Sequence, residues 1–246
     1  MALARLDKLL SHTGERSRSE AGKLIRAGLV CVNGVAMRDP SFKADDASAI
    51  TLNGEPVRTQ ALHYVMLHKP AGLLTAARDR SAPTVMDLLP AALLARGVMP
   101  VGRLDKDTTG LLLLTNDGAL AHRLLAPKTH VWKEYLATVD GELTQAHVQA
   151  FAQGIELYGF QALPGELAVV SAAPGESVAR VKLREGKYHQ VKRMFAALGL
   201  HVTALHRQAF GPLRLSVAQG EYRPLTQAEI KALYQAAQMD WEENHG

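Results

Sequence analysis

The chain has 246 residues, 47% of them apolar and 21% charged, with a net charge of +4 and a single cysteine. That is enough chain to bury a sizeable core and to divide into one large and one small domain, and the balance is that of a globular protein, not a disordered one. Cys31 alone cannot build a disulfide framework or a cysteine metal site, and no apolar run nears the ~20 residues that span a bilayer, so disulfide-stapled scaffolds and membrane-spanning helices are excluded.

The first residues, Met1 to Lys8, meet charge too early for a signal peptide, and the expected location is the cytoplasm. Leu3, Leu6, Leu9 and Leu10 recur at helical spacing, which predicts a helix ending near Ser11 to Gly14. A second helix is expected after Ser17 or Ser19 as N-cap, carrying Ala21, Leu24 and Ile25 and stopping at Gly28. Leu29 to Val32 then meets Asn33-Gly34, a two-residue hairpin signal, and Ala49 to Leu52 meets a second at Asn53-Gly54. Pro56 to Gln60 reads as a linker, dividing the chain into domains 1–58 and 59–246. Arg16, Arg18, Lys23 and Arg26 could give the second helix a positive face, with an ordinary solvated surface as the plain alternative.

Beyond the linker, Tyr64 to Leu67 is strand-like and Lys69 to Gly72 is a turn. Gly102 to Thr109 is a turn rich in charge and hydroxyls, and it runs into four leucines, Leu111 to Leu114. That run is too short for an independent helix and suits a strand buried on both faces. Asp105 is then a carboxylate at the rim of a rigid sheet, where catalytic groups are best held, although most such aspartates only cap a turn. Asp117 reads as a helix cap. Val131 to Val139 predicts a strand, Thr144 caps a helix carrying Val148, Phe151 and Ile155, and Val178 to Leu183 predicts another strand. Val191 to Leu198 reads as a helix closed by Gly199, followed by strands at His201 to Leu205 and Leu213 to Val217. The order argues for α+β with a mainly antiparallel mixed sheet.

Charge is unevenly spread. Arg180, Lys182, Arg184, Lys187, Lys192, Arg193, Arg207 and Arg214 are opposed in their own stretch only by Glu185, while Glu229, Asp240, Glu242 and Glu243 make the last residues acidic. A basic stripe beside an acidic tail is the footprint of nucleic-acid binding, or else a solvated face. Gly14 to Lys23 lacks the glycine spacing and the hydroxyl residue of a phosphate loop, and the ten histidines show no metal-ligand spacing. No metal and no cofactor are expected.

Arg103-Leu104-Asp105 resembles the catalytic Arg-Leu-Asp motif of the pseudouridine synthases, in the branch that carries an N-terminal S4 RNA-binding module. Arg16 to Ala21, with Leu24-Ile25 and Gly28 to Gly34, resembles that S4 module. Glu185 to Phe195 resembles the family's glycine-basic-x-x-Gln-x-basic segment. The resemblance implies a pseudouridine synthase catalytic domain behind a small α+β S4 domain. Asp105 is then the residue the chemistry needs, and Tyr135 stacks on the target uracil. Lys192 pairs with the Asp, with Arg193 as the fallback, because a cation beside a carboxylate favours its charged form. Arg103, Tyr188, Gln190 and Arg193 would touch substrate, and Arg16, Arg18, Lys23, Arg26 and Lys187 would contact RNA phosphates. Arg103 either fills the space left by the flipped base or forms a salt bridge near the turn.

Tyr188 to Phe195 is most similar to the branch acting on small-subunit (16S) ribosomal RNA, of the type that modifies uridine 516. The implied partner is that RNA or the assembling small subunit, met by a monomer. The alternatives are action on large-subunit (23S) RNA, and a non-catalytic RNA-binding protein of ribosome assembly.

Overall fold

A computed structural model describes residues 3–11, 16–44, 48–57 and 62–241. The chain divides into two compact units between residues 62 and 63. His12 to Gly14, most of the expected linker, and Glu242 and Glu243 of the acidic tail lie outside the described residues.

The first unit opens with helices α1 (Leu6–Ser11) and α2 (Arg18–Arg26). Ser17 starts α2 because its hydroxyl accepts from Glu20 N at 3.2 Å while the Glu20 carboxylate takes the Ser17 N–H at 2.7 Å, a reciprocal capping box. Strands β1 (Val30–Val32), β2 (Val35–Met37), β3 (Ile50–Leu52) and β4 (Glu55–Pro56) form an antiparallel sheet in the order β2-β1-β3-β4. Both hairpin turns have positive φ at their two central residues, 50° and 81° at Asn33-Gly34 and 52° and 86° at Asn53-Gly54. Their twist matches that of the strands. Leu6, Leu9, Leu10, Ala21, Ile25, Val30 and Ile50 make the core. Leu3, expected on the first helix, is instead exposed ahead of an extended pair, Ala4–Arg5 against Lys43–Ala44.

The second unit is built on a nine-stranded sheet. Its main strands are β5 (Tyr64–Lys69), β6 (Thr109–Thr115), β7 (Lys133–Val139), β8 (Glu166–Ala173), β9 (Glu176–Leu183), β10 (Val202–Phe210) and β11 (Tyr222–Pro224), in the order β8-β9-β7-β10-β6-β5-β11. Every pairing is antiparallel except β10 with β6, where His206 faces Thr109 and Arg207 faces Gly110. Two antiparallel halves therefore meet at one parallel seam. Leu111 to Leu114 are wholly buried, because both faces of β6 are covered. The longer helices of the unit are α3 (Gly118–Leu125), α4 (Gln145–Gln153), α5 (Gln190–Ala197) and α6 (Gln227–Ala236), beside short helical turns such as Ala91–Leu94. Asp117 caps α3 by accepting from Leu120 N at 3.0 Å, and its carboxylate also takes the hydroxyls of Tyr64 and Tyr234, which ties α6 to β5.

The α+β reading with a mainly antiparallel mixed sheet holds. Three details differ. The expected strand at Leu213 to Val217 shrinks to Leu213–Arg214, Ile155 lies beyond the Gly154 that ends α4, and β8 and α6 join the elements anticipated. No helix among the described residues is long and apolar enough to cross a membrane.

Candidate active site

Asp105 sits in a turn just before β6, and Thr108 N closes that turn on Asp105 O at 3.2 Å. What fixes it is Lys69, the last residue of β5. The side chain is wholly buried, and its ammonium donates to the carbonyls of Pro70 (3.1 Å), Lys106 (3.1 Å) and Thr108 (2.9 Å). Three donors meet three acceptors, so the charge is solvated by backbone dipoles in place of water. Burial pushes the Lys69 pKa down to about 8, against a smaller upward pull from Asp107 and Asp105. On the other side of Asp105, Thr75 Oγ1 donates to Leu104 O at 2.8 Å and receives Leu104 N at 3.2 Å. The carboxylate is thus held between two pinned neighbours. The sequence marked Lys69 only as part of a turn.

Residues from the far side of the seam approach this turn. Lys192, on α5, donates to both oxygens of Asp107 at 2.6 and 2.7 Å and lies 3.5 Å from Asp105 Oδ2. Its short bonds go to a carboxylate the sequence had not singled out. That bond to Lys192 is the main reason the Asp107 pKa is lowered. His189 Nε2 lies 3.5 Å from the other oxygen, Oδ1, of Asp105. Asp105 therefore has one nitrogen group beside each oxygen. Arg193 points elsewhere, donating to Tyr158 O and lying 5.0 Å over the Phe160 ring.

A pocket opens beside Asp105, with Tyr135, Leu183 and Leu205 among its lining residues. Tyr135 is buried, and β7 shifts register against β10 between Glu134 and Tyr135, an irregularity of the kind that re-aims side chains beside functional sites. Gln190 also lines the pocket, but its amide is used internally: it accepts from Lys187 N at 3.0 Å and donates to Glu185 Oε1 at 2.6 Å, which in turn accepts from Leu163 N. Gln190 thus shapes the 185–187 loop. Arg103 lines the pocket, is exposed, and makes no hydrogen bond or ion pair with any described residue. Lys187 also lines it, with its ammonium 5.8 Å over the Phe160 ring. Tyr188 stands outside, exposed and stacked on His189. No group of three His, Cys, Asp or Glu side chains that could hold a metal ion occurs among the described residues.

Residues 63–197 match the model of the RNA pseudouridylate synthase family, and residues 4–50 match the S4 domain. The chain belongs to the RNA pseudouridylate synthases. It is 40% identical over 233 residues to the uncharacterized RNA pseudouridine synthase YtzG of Bacillus subtilis, covering 93% of this chain and 98% of that one. It is 39% identical over 234 residues to ribosomal small subunit pseudouridine synthase A of Escherichia coli K12, covering 93% and 99%. A crystal structure of a pseudouridylate synthase aligns with a TM-score of 0.67 at 38% identity, covering 93% of this chain and 99% of that chain. This synthase is therefore an isomerase.

The synthase's S4 unit carries the four basic residues singled out on α2 and just before it. Arg18 and Arg26 line an open concavity with Arg5, Gly22 and Ser41, whereas Lys23 is exposed outside that lining and Arg16 precedes the helix. Asp7 accepts from Arg5 at 2.7 Å and Arg18 at 3.2 Å; the Arg5 bond, helped by Arg18, lowers its carboxyl pKa to about 2. The basic stripe of the catalytic unit is more balanced than its sequence suggests. Arg207 is buried, Arg180 and Arg214 both reach Glu134 (3.5 and 3.4 Å), and Lys182 pairs with Glu166 at 3.1 Å. Sheet pairing brings in carboxylates that lie far off in the chain.

Proposed function

We propose that this synthase isomerises a uridine of ribosomal RNA in the small (16S) subunit, with Asp105 as the catalytic carboxylate. The observation that carries the reading is the placement of Asp105: pinned through Lys69, flanked by Lys192 and His189, and opening on the pocket that holds Tyr135. The 39% identity to an enzyme named for the small ribosomal subunit supports the choice of RNA.

In this reading the target nucleotide leaves its stack, at a cost of about a few kcal/mol, and its base enters the pocket. Stacking on Tyr135, about 1–3 kcal/mol per base, offsets much of that cost. Asp105 acts on the nucleoside as nucleophile or base, the N1–C1′ bond breaks, the uracil turns while held, and C5 bonds to C1′. The C5 proton is lost and N1 gains one, so no proton is consumed overall. Arg103, which has no partner among the described residues, can occupy the gap left in the RNA. Arg16, Arg18, Lys23 and Arg26 of the S4 unit, with Arg5 in the same concavity as Arg18 and Arg26, supply phosphate contacts that position RNA without reading sequence.

The test is to map pseudouridine in ribosomal RNA from cells with and without the gene, complemented by the intact enzyme or by Asp105→Asn. One 16S position, expected at uridine 516, should lose its modification and regain it only with the intact enzyme. Loss confined to 23S RNA would move the substrate to the large subunit. Restoration by Asp105→Asn would remove that residue from the chemistry.

A further inference from the structure

Tyr188 is placed where packing gives it little reward. Its side chain is 74% exposed although a buried aromatic is among the largest contributors to a core. One face is covered by His189, with ring centroids 3.8 Å apart and planes 18° from parallel, which leaves the other face to solvent. His189 itself lines the pocket and lies 3.5 Å from Asp105. The backbone there is unusual. His189 is the N-cap of α5, yet it holds φ 51° and ψ 31° and makes no side-chain cap hydrogen bond. A left-handed, non-glycine residue that gives up the capping bond is unfavourable locally, and such strain collects at functional sites. The stack of Tyr188 on His189 thus has one ring in the pocket lining and one outside it. The exposed cations that line the pocket, Arg103 and Lys187, have no carboxylate partner among the described residues.

An open aromatic face that follows Lys187 in the chain, at a pocket lined by two cations without carboxylate partners, fits a planar group on an anionic backbone. We propose that Tyr188 is a stacking platform for the nucleobase adjoining the uridine that enters the pocket, a second base subsite outside the catalytic one. The proposal rests on the reading of Asp105 and its pocket as the site of RNA isomerisation. Because every base has a π-face, the platform selects for the presence of a neighbouring base more than for its identity.

The test uses the full-length enzyme and a small-subunit RNA hairpin containing the uridine identified by mapping. Affinity is measured for the wild type, Tyr188→Phe and Tyr188→Ala, on intact hairpin and on hairpins made abasic at the nucleotide before or after the target. Tyr188→Ala should weaken binding to intact RNA by about 5- to 150-fold, while Tyr188→Phe, which keeps the ring, should bind like the wild type. On the hairpin abasic at the stacked position, the penalty of Tyr188→Ala should vanish. Equal penalties on all three RNAs, or none on intact RNA, would overturn the platform. If instead the wild type forms no pseudouridine in the intact hairpin or in the assembling small subunit, the reading of the catalytic pocket itself fails. Tyr188 is exposed, so an unchanged melting temperature of each variant confirms that the comparison is between folded proteins.

Discussion

Lys69 carries a charge into the interior, where three carbonyl oxygens receive it. Its depressed pKa of about 8 has a definite sign for stability. Above that value the folded protein sheds the proton while the unfolded chain keeps it up to the ordinary 10.5, so the unfolded state binds more protons and stability rises with pH between the two. Lys133, also lowered to about 8 by burial, adds to the same trend. In urea unfolding, Lys69→Met should make the rise shallower by up to about 1.4 kcal/mol per pH unit between pH 8 and 10; parallel curves would show that Lys69 does not titrate there. Asp105→Asn should keep the turn and RNA affinity while single-turnover conversion falls about 10⁴-fold or more. A variant that still turns over briskly would contradict the assignment. Residue types in a motif made Asp105, Tyr135 and Gln190 legible in the sequence. Lys69, Asp107 and His189 were not, because their significance lies in burial and in partners up to 85 residues away.

Among the elements, β6 shows how tightly backbone can constrain sequence. Gly110 holds φ +112°, and a Cβ there would collide with the backbone N, C and O of Arg207 on β10. Neither can yield without opening the seam. Gly110→Ala should therefore destabilise by about 2–6 kcal/mol, combining backbone strain with overpacking, which a shift in the urea midpoint would register. A loss below about 1 kcal/mol would mean the seam is softer than this geometry implies. The strands and helices with regular patterning, β6, β7, β9 and α5, were readable from periodicity and turn residues. Strand β8 was not, since only Leu167 of its eight residues is buried and alternation is lost at an exposed edge. Helix α6 carried a legible signal as well, Ile230, Leu233 and Tyr234 on one face behind a Thr226–Glu229 capping box.

At the scale of the molecule, each unit has its own buried core, which predicts that the catalytic unit folds without the S4 unit. A chain lacking residues 1–58 should retain its single-turnover rate at saturating RNA but bind more weakly. Each RNA phosphate that the truncated chain no longer neutralises should flatten the slope of log K against log salt by about 0.7–0.9. An unchanged salt slope, or a collapsed saturating rate in a folded truncation, would show that the two units do not divide the work in this way. The change of pattern after residue 60 was the sequence's signal for two units. The assembly of the pocket from two halves of one sheet was beyond it.

The parallel seam also sets an order of events when the chain folds. Of the main strands, only β8 and β9 pair as a hairpin; β11 returns to β5 over the longest span, Tyr222 to Leu67, and the seam joins Thr109 to His206 across 97 residues. Closing so long a loop is entropically expensive and slow compared with forming hairpins. Asp105 belongs to one half, and Tyr135, His189 and Lys192 to the other. Helices and the β8–β9 hairpin should return early in refolding, while turnover reappears only once the seam has closed. Newly made enzyme would thus be silent toward RNA until its topology is complete.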